Sequence, residues 1–342
     1  MTFTFDVLCV GFACYDLTFS IDRHLGPDEK ARATALTSCG GGLAANAAVT
    51  AARLGYRVAF AGYLGDDLYG SEHLAEFHEA GVDTSLVLRG DPPTPLSAIL
   101  VKPDGARTLV NYREELPTLP ADAIDLAFNP PRAILFDGHQ LPLAVPLSQR
   151  AKALGIPTLL DADAVGDGAT ALMGLVEFLV TSERFGRQFT GCEDSLDAAI
   201  ALSSYAPSVV VTAGERGLAW HNRADSRFGA GCGWFPAFSV EAVDTTGAGD
   251  AFHGAFAAGL AAGMGWEELL LYSSAVGALC CTKYGARIGI PTGAEVEAFL
   301  QVYNHQDTKA RRKKQELCIF FVALCLGGDE KLSVAAVGKV EL

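Results

Sequence analysis

With 342 residues, 50% of them hydrophobic, the chain can build one large core, or one core and a small appendage. Its net charge of -14 argues against nucleic acid and anionic membranes as partners, because both need a basic face. No apolar run is long enough to span a bilayer, the first residues lack a secretory leader's basic segment, and the nine cysteines lack metal-type spacing; a cytoplasmic protein with reduced thiols is expected.

Apolar β-type runs alternate with helix-like runs, the pattern of an α/β fold with a doubly wound, mostly parallel sheet. Strands are predicted over 6–10, 58–61, 133–136, 158–160, 178–180 and 209–212, with helices near 44–54, 71–80, 144–154 and 195–205. Ligands of such sheets bind at the carboxyl ends of the strands.

The first strand runs into Gly11-Phe12-Ala13-Cys14-Tyr15-Asp16. Asp16 reads either as a turn former or as two acceptor oxygens for vicinal hydroxyls. Gly40-Gly41-Gly42 then opens an Ala-rich helix containing Asn46. That is a plain glycine turn, or a backbone pressed against a polar ligand with Asn46 as donor and acceptor. Asp66 or Asp67 should cap the following helix. Two stretches, 17–38 and 94–113, break the rhythm, and the second reads as a hairpin turning at Pro103-Asp104-Gly105. Asp161 and Asp163 end a later strand, either as loop acids or as carboxylates facing phosphates through magnesium and water. Thr212-Ala213-Gly214-Glu215-Arg216-Gly217 is a glycine turn after the last clear strand.

The densest signal is Asp244-Thr245-Thr246-Gly247-Ala248-Gly249-Asp250, leading into a small, apolar helix expected over 251–262. First-turn N–H groups and the helix dipole together attract an anion. A carboxylate at such a mouth would repel phosphate, so Asp250 reads as a general base for a hydroxyl attacking a held phosphoryl group. The bland alternative is a helix that starts with Asp in its first turn. No Gly-x-x-x-x-Gly-Lys-Ser/Thr loop occurs, and Phe252 stands where a dinucleotide fingerprint needs glycine or alanine.

The runs 244–252 and 40–48 resemble the two signatures of the ribokinase-like (phosphofructokinase-B-type) carbohydrate kinases, and the likeness extends over about residues 5–301. The resemblance implies a Rossmann-like sheet with a small β-sheet lid built from 17–38 and 94–113, often shared across a homodimer. It implies ATP and Mg2+ as cofactors and a small-molecule sugar as substrate. Asp250 would be the base, and the amides of Gly247, Ala248 and Gly249 the anion hole. Asp16, Gly41, Gly42 and Asn46 would meet the sugar; Thr212, Gly214 and Gly217 would meet the nucleotide. Ser182 and Phe185 replace the family's magnesium-associated Asn and Glu, which leaves Glu183 as the acid there. Residues 278–291 resemble the last signature, implying K+ held beside Asp244 and Thr246.

Within that family, Gly40 to Ala45, Arg107 to Tyr112, Asp250 to Gly254 and Cys281-Thr282-Lys283 are similar to the 6-deoxy-6-sulfofructose kinases. That likeness puts Lys30, Asn111 and His139 at the far end of the sugar. His139 stands in place of an arginine, which implies a weaker hold on a sulfonated or phosphorylated ketose and a preference for a neutral or carboxylated one. The expected activity is ATP-dependent phosphorylation of a primary hydroxyl of a ketose or related sugar. The alternatives are a nucleoside kinase of the same family and a catalytically inactive sugar- or nucleotide-sensing protein. The kinase domain is expected over 1–303. Residues 304–342, with 7 Lys/Arg against 5 Asp/Glu, read as a C-terminal extension.

Overall fold

A computed structural model describes residues 5–103, 107–128 and 130–303. The described residues up to 296 form one compact unit; 297–303 belong to a second and are helical. The extension expected over 304–342 and the hairpin tip, 104–106, lie outside the described residues.

In chain order the first unit begins with β1 (Val7–Val10), β2 (Cys14–Ser20), β3 (Ala35–Gly41), α1 (Leu43–Arg53), β4 (Val58–Gly65), α2 (Leu68–Ala80) and β5 (Val82–Gly90). The hairpin strands β6 (Leu96–Val101) and β7 (Arg107–Tyr112) follow, then β8 (Ala133–Phe136), α3 (Leu141–Ala153), β9 (Thr158–Ala162) and α4 (Asp167–Leu172). After these come β10 (Phe178–Ser182), α5 (Glu183–Thr190), α6 (Ser195–Leu202), β11 (Ser208–Thr212), β12 (Leu218–Asn222) and β13 (Gly231–Phe235). Two packed helices, α7 (Ala248–Ala262) and α8 (Trp266–Cys280), close the unit.

The large sheet has the order β13-β12-β11-β10-β9-β8-β1-β4-β5. It is parallel from β11 to β5, with β12 and β13 as an antiparallel edge. Its central strands are buried along their whole length (Val7–Val10, Ala133–Phe136), which is why they read as unbroken apolar runs. A second sheet, β3-β2-β6-β7, has one parallel pair, β2 with β6, between two antiparallel ones. This is the lid expected from 17–38 and 94–113.

All six predicted strands are present, most of them longer than the reading. Sequence reasoning passed over β5, β12 and β13, whose half-exposed or short runs carry little apolar signal. The cap of α2 is Asp67, whose Oδ1 accepts from Gly70 N at 2.7 Å, while Asp66 pairs with Arg89. Helix α7 starts at Ala248, three residues before the expected 251, so Asp250 belongs to its first turn.

Candidate active site

Gly247 caps α7 with φ 75°, a left-handed conformation that glycine adopts without strain. The turn before it is tied down by Asp244, whose Oδ1 accepts from Thr246 N and Oδ2 from Gly285 N, each at 2.9 Å. The carboxylate at the expected monovalent-cation position thus serves two backbone amides. From the lid, Arg107 Nη1 donates to Thr246 Oγ1 at 2.7 Å.

Asp250 Oδ2 accepts from Asn46 Nδ2 at 2.7 Å, which joins the first turn of α7 to α1. Burial and the nearby Asp161 carboxyl push the Asp250 pKa well above the usual carboxylate range, and the Asn46 bond opposes that rise. Asp161, 3% exposed, is itself raised by burial and by Asp163 and Asp137. One turn on, His253 Nδ1 lies 2.7 Å from Gly249 O and 3.3 Å from Asp161 Oδ2, and Nε2 lies 3.3 Å from Val180 O. Burial lowers its pKa, so the ring is neutral and its single N–H donates to Gly249 O or to Val180 O, not to both.

The residues expected to meet the sugar gather beyond the carboxyl end of β1. Asp16 is 8% exposed and receives a bond from Cys14 Sγ at 3.3 Å; burial raises its pKa, eased by Cys14 and Ser97. Its carboxylate packs against the Cα of Gly41, and Gly42 is the N-cap of α1. Asn111 shares its register position with Ser97, and Ser97 with Asp16, so the three lie across one level of the lid sheet. Lys30 is exposed in the loop between β2 and β3.

His139 stacks on Phe12 with ring centroids 4.7 Å apart, and its Nδ1 lies 3.2 Å from Asp137 Oδ1. Burial opposes its charge, but Asp137 outweighs burial and raises its pKa. A cavity of about 240 Å³ beside this stack is bordered by Arg113 and Gln140. Asp137 Oδ2 also accepts from Phe12 N at 2.7 Å and Ala44 N at 3.1 Å, so one buried carboxylate holds the loop after β1 and the start of α1.

Beside the first turn of α7 opens a cavity of about 770 Å³ lined by Thr212, Gly214, Gly217, Ala248, Gly249 and Phe252, among others. The residues expected on the nucleotide therefore share one cavity with the start of α7. Glu183 does not stand free: its Oε1 accepts from Ser195 at 2.9 Å and from Arg216, whose charge lowers its pKa. Sequence reasoning missed Asp137, His253, Arg107 and Arg287. The signal for His253 and Arg287 was a polar group inside an otherwise small and apolar run.

The profile of the pfkB family of carbohydrate kinases matches residues 4–293. The chain is 29% identical over 280 residues to a ribokinase of Haemophilus influenzae, covering 76% of this chain and 87% of that one. It is 30% identical over 296 residues to fructokinase-1 of Oryza sativa subsp. japonica, covering 78% and 90%. The crystal structure of a ribokinase from Thermotoga maritima is similar with a TM-score of 0.74 at 26% identity, over 87% of this chain and 99% of that one.

Proposed function

The chain belongs to the pfkB family of carbohydrate kinases, whose members are ATP-dependent phosphotransferases, and we propose that its acceptor is a primary hydroxyl of a ketose or related sugar, with Asp250 as the base. The observation that carries this reading is the bond from Asn46 to Asp250 at the N-terminus of α7. It sets the carboxylate between the large cavity and the acceptor loops that hold Asp16, Gly41 and Gly42. The acceptor hydroxyl gives its proton to Asp250 as its oxygen bonds to the γ-phosphorus and the bond to ADP breaks. Amides of 247–249 hold the transferring phosphoryl oxygens.

Mg2+ bound to ATP would neutralise charge on the phosphate oxygens. Among the described residues no group of three or more His, Cys, Asp or Glu is arranged to hold a metal. This fits an ion that keeps most of its coordination in phosphate and water. Glu183 being engaged, the exposed Asp163 at the end of β9 is the carboxylate we assign to meet it through water. A K+ ion beside Asp244 and Thr246 would rely on backbone carbonyls, since both Asp244 oxygens already serve amides.

The far end of the acceptor faces His139 and Arg113 in this reading. Arg113 adds to that end a guanidinium that sequence reasoning did not count, and Asp137 favours the charged form of His139. Glu114 and Glu115 line the same cavity and offset that charge, so anionic ketoses gain no advantage over neutral ones. Leu36, Val110 and Tyr112 leave an apolar lid face exposed, which supports a homodimer through the lid. The test is ADP release with ketoses, aldoses, keto-deoxy acids and nucleosides as acceptors. Turnover highest on a ketose supports the proposal; a nucleoside as best acceptor, or no acceptor above background ATP hydrolysis, overturns it.

A further inference from the structure

Arg287 lies after α8, only 6% exposed, and its guanidinium is spent inside the protein. Nε donates to Asn46 Oδ1 at 3.2 Å, Nη1 to Glu76 Oε2 at 2.6 Å, and Nη2 to His73 Nε2. Its plane sits over Phe77, 5.2 Å from the ring centroid. Burial and the guanidinium lower the His73 pKa, so that ring is neutral and can accept. Glu76 reaches on to Gly40 N, at 3.0 and 2.9 Å from its two oxygens. A Cβ on residue 40 would come 2.3 Å from Nη1, so only glycine leaves room for the fork.

On the reading of Asp250 as the base, we infer that Arg287 is a positioning residue: it fixes which end of the Asn46 amide faces Asp250, and forbids the orientation that would accept a proton held on Asp250. A guanidinium has donors only and stays charged. With Nε–H on Oδ1, the amide must turn Nδ2 toward Asp250, where it donates to the ionised carboxylate. The reversed amide would set its NH2 against the guanidinium, two buried donors face to face. Without Arg287 that reversal is open. Neutral Asp250 then donates to Oδ1, the acid form gains a partner, and the base is lost at a higher pH. Facing Asp250 are Asn46 from α1, Asp161 from β9 and Asp163 just after it, Cys280 from α8 and His253 from its own helix. Among these, Asn46 is the group bonded to Arg287.

The test titrates the full chain labelled with [γ-13C]aspartate and follows the Asp250 carboxyl by NMR, assigned with Asp250→Asn. It needs no substrate, so a chain that phosphorylates no sugar would sink the base reading and still decide this one. Arg287→Met should move the Asp250 midpoint up by about one pH unit, the scale of one hydrogen bond to a charged group. The same change made in Asn46→Ala should move it by less than about a third of that, because the route through the amide is gone. No movement in Arg287→Met, or equal movement in both backgrounds, overturns the inference. Should Arg287→Met fail to fold, Arg287→Lys and Gly40→Ala, which disturb the fork more gently, should move the midpoint in the same direction. An unmoved midpoint in both overturns it equally.

Discussion

Arg107, on the outermost lid strand, donates to Thr246 Oγ1 at 2.7 Å across 139 residues of chain. The lid is thus latched to the turn that caps α7, not only to the acceptor loops. Arg107→Ala should lower kcat/KM by about tenfold, less than a buried charged bond because the contact is exposed. Initial rates with ATP and the best acceptor check it; rates equal to wild type make the contact incidental.

Asp250→Asn should bind ATP as wild type does while kcat falls about 10²–10⁴-fold, the usual contribution of a general base. In wild type the acid limb of kcat should lie above the ordinary carboxylate range, because burial and Asp161 raise the Asp250 pKa. Activity is present above that midpoint and lost as pH falls through it. Nucleotide binding by calorimetry beside a kcat–pH profile separates the two effects.

Asp16→Ala should raise the acceptor KM and leave kcat within a few-fold, since its bonds are made in ground and transition states alike. An unchanged KM for every accepted sugar removes Asp16 from the site.

Asp161→Asn should stabilise the protein, and more so as pH rises. Burial holds the folded-state pKa of Asp161 well above its unfolded value, with Asp163 and Asp137 adding to it. Between those two values the unfolded chain has released a proton that the folded chain keeps, so wild type loses stability as pH rises. The gain in Tm should be near zero below about pH 4, where both states hold the proton, and larger at pH 8 than at pH 5. Scanning calorimetry at the three values decides it; a gain independent of pH contradicts the assignment.

The glycine turns before α7 and α1 were legible in the sequence because each is contiguous, glycine-marked and followed at once by a helix. What escaped depends on partners far along the chain. Arg287 meets Asn46 across 241 residues and Asp137 meets Phe12 across 125, separations over which residue spacing says nothing. His139 stood out in the sequence, but the rise in its pKa did not, because that rests on Asp137. Arg113 gave no signal either: it follows β7 in an exposed stretch, and only the folded chain sets it beside His139.

Strand β1 passes into β2 through Gly11–Ala13 alone, and β3 reaches α1 through Gly42. Asp16, Gly41 and Asn46 therefore ride on one uninterrupted piece of chain with half of the lid. The large cavity beside α7, proposed for the nucleotide, is drawn instead from residues 212–281. Inheritance of this chain is thereby divided. Exchanging its first 140 residues, which include His139 and Gln140, with those of a relative should carry acceptor choice across while leaving the phosphate donor as it was.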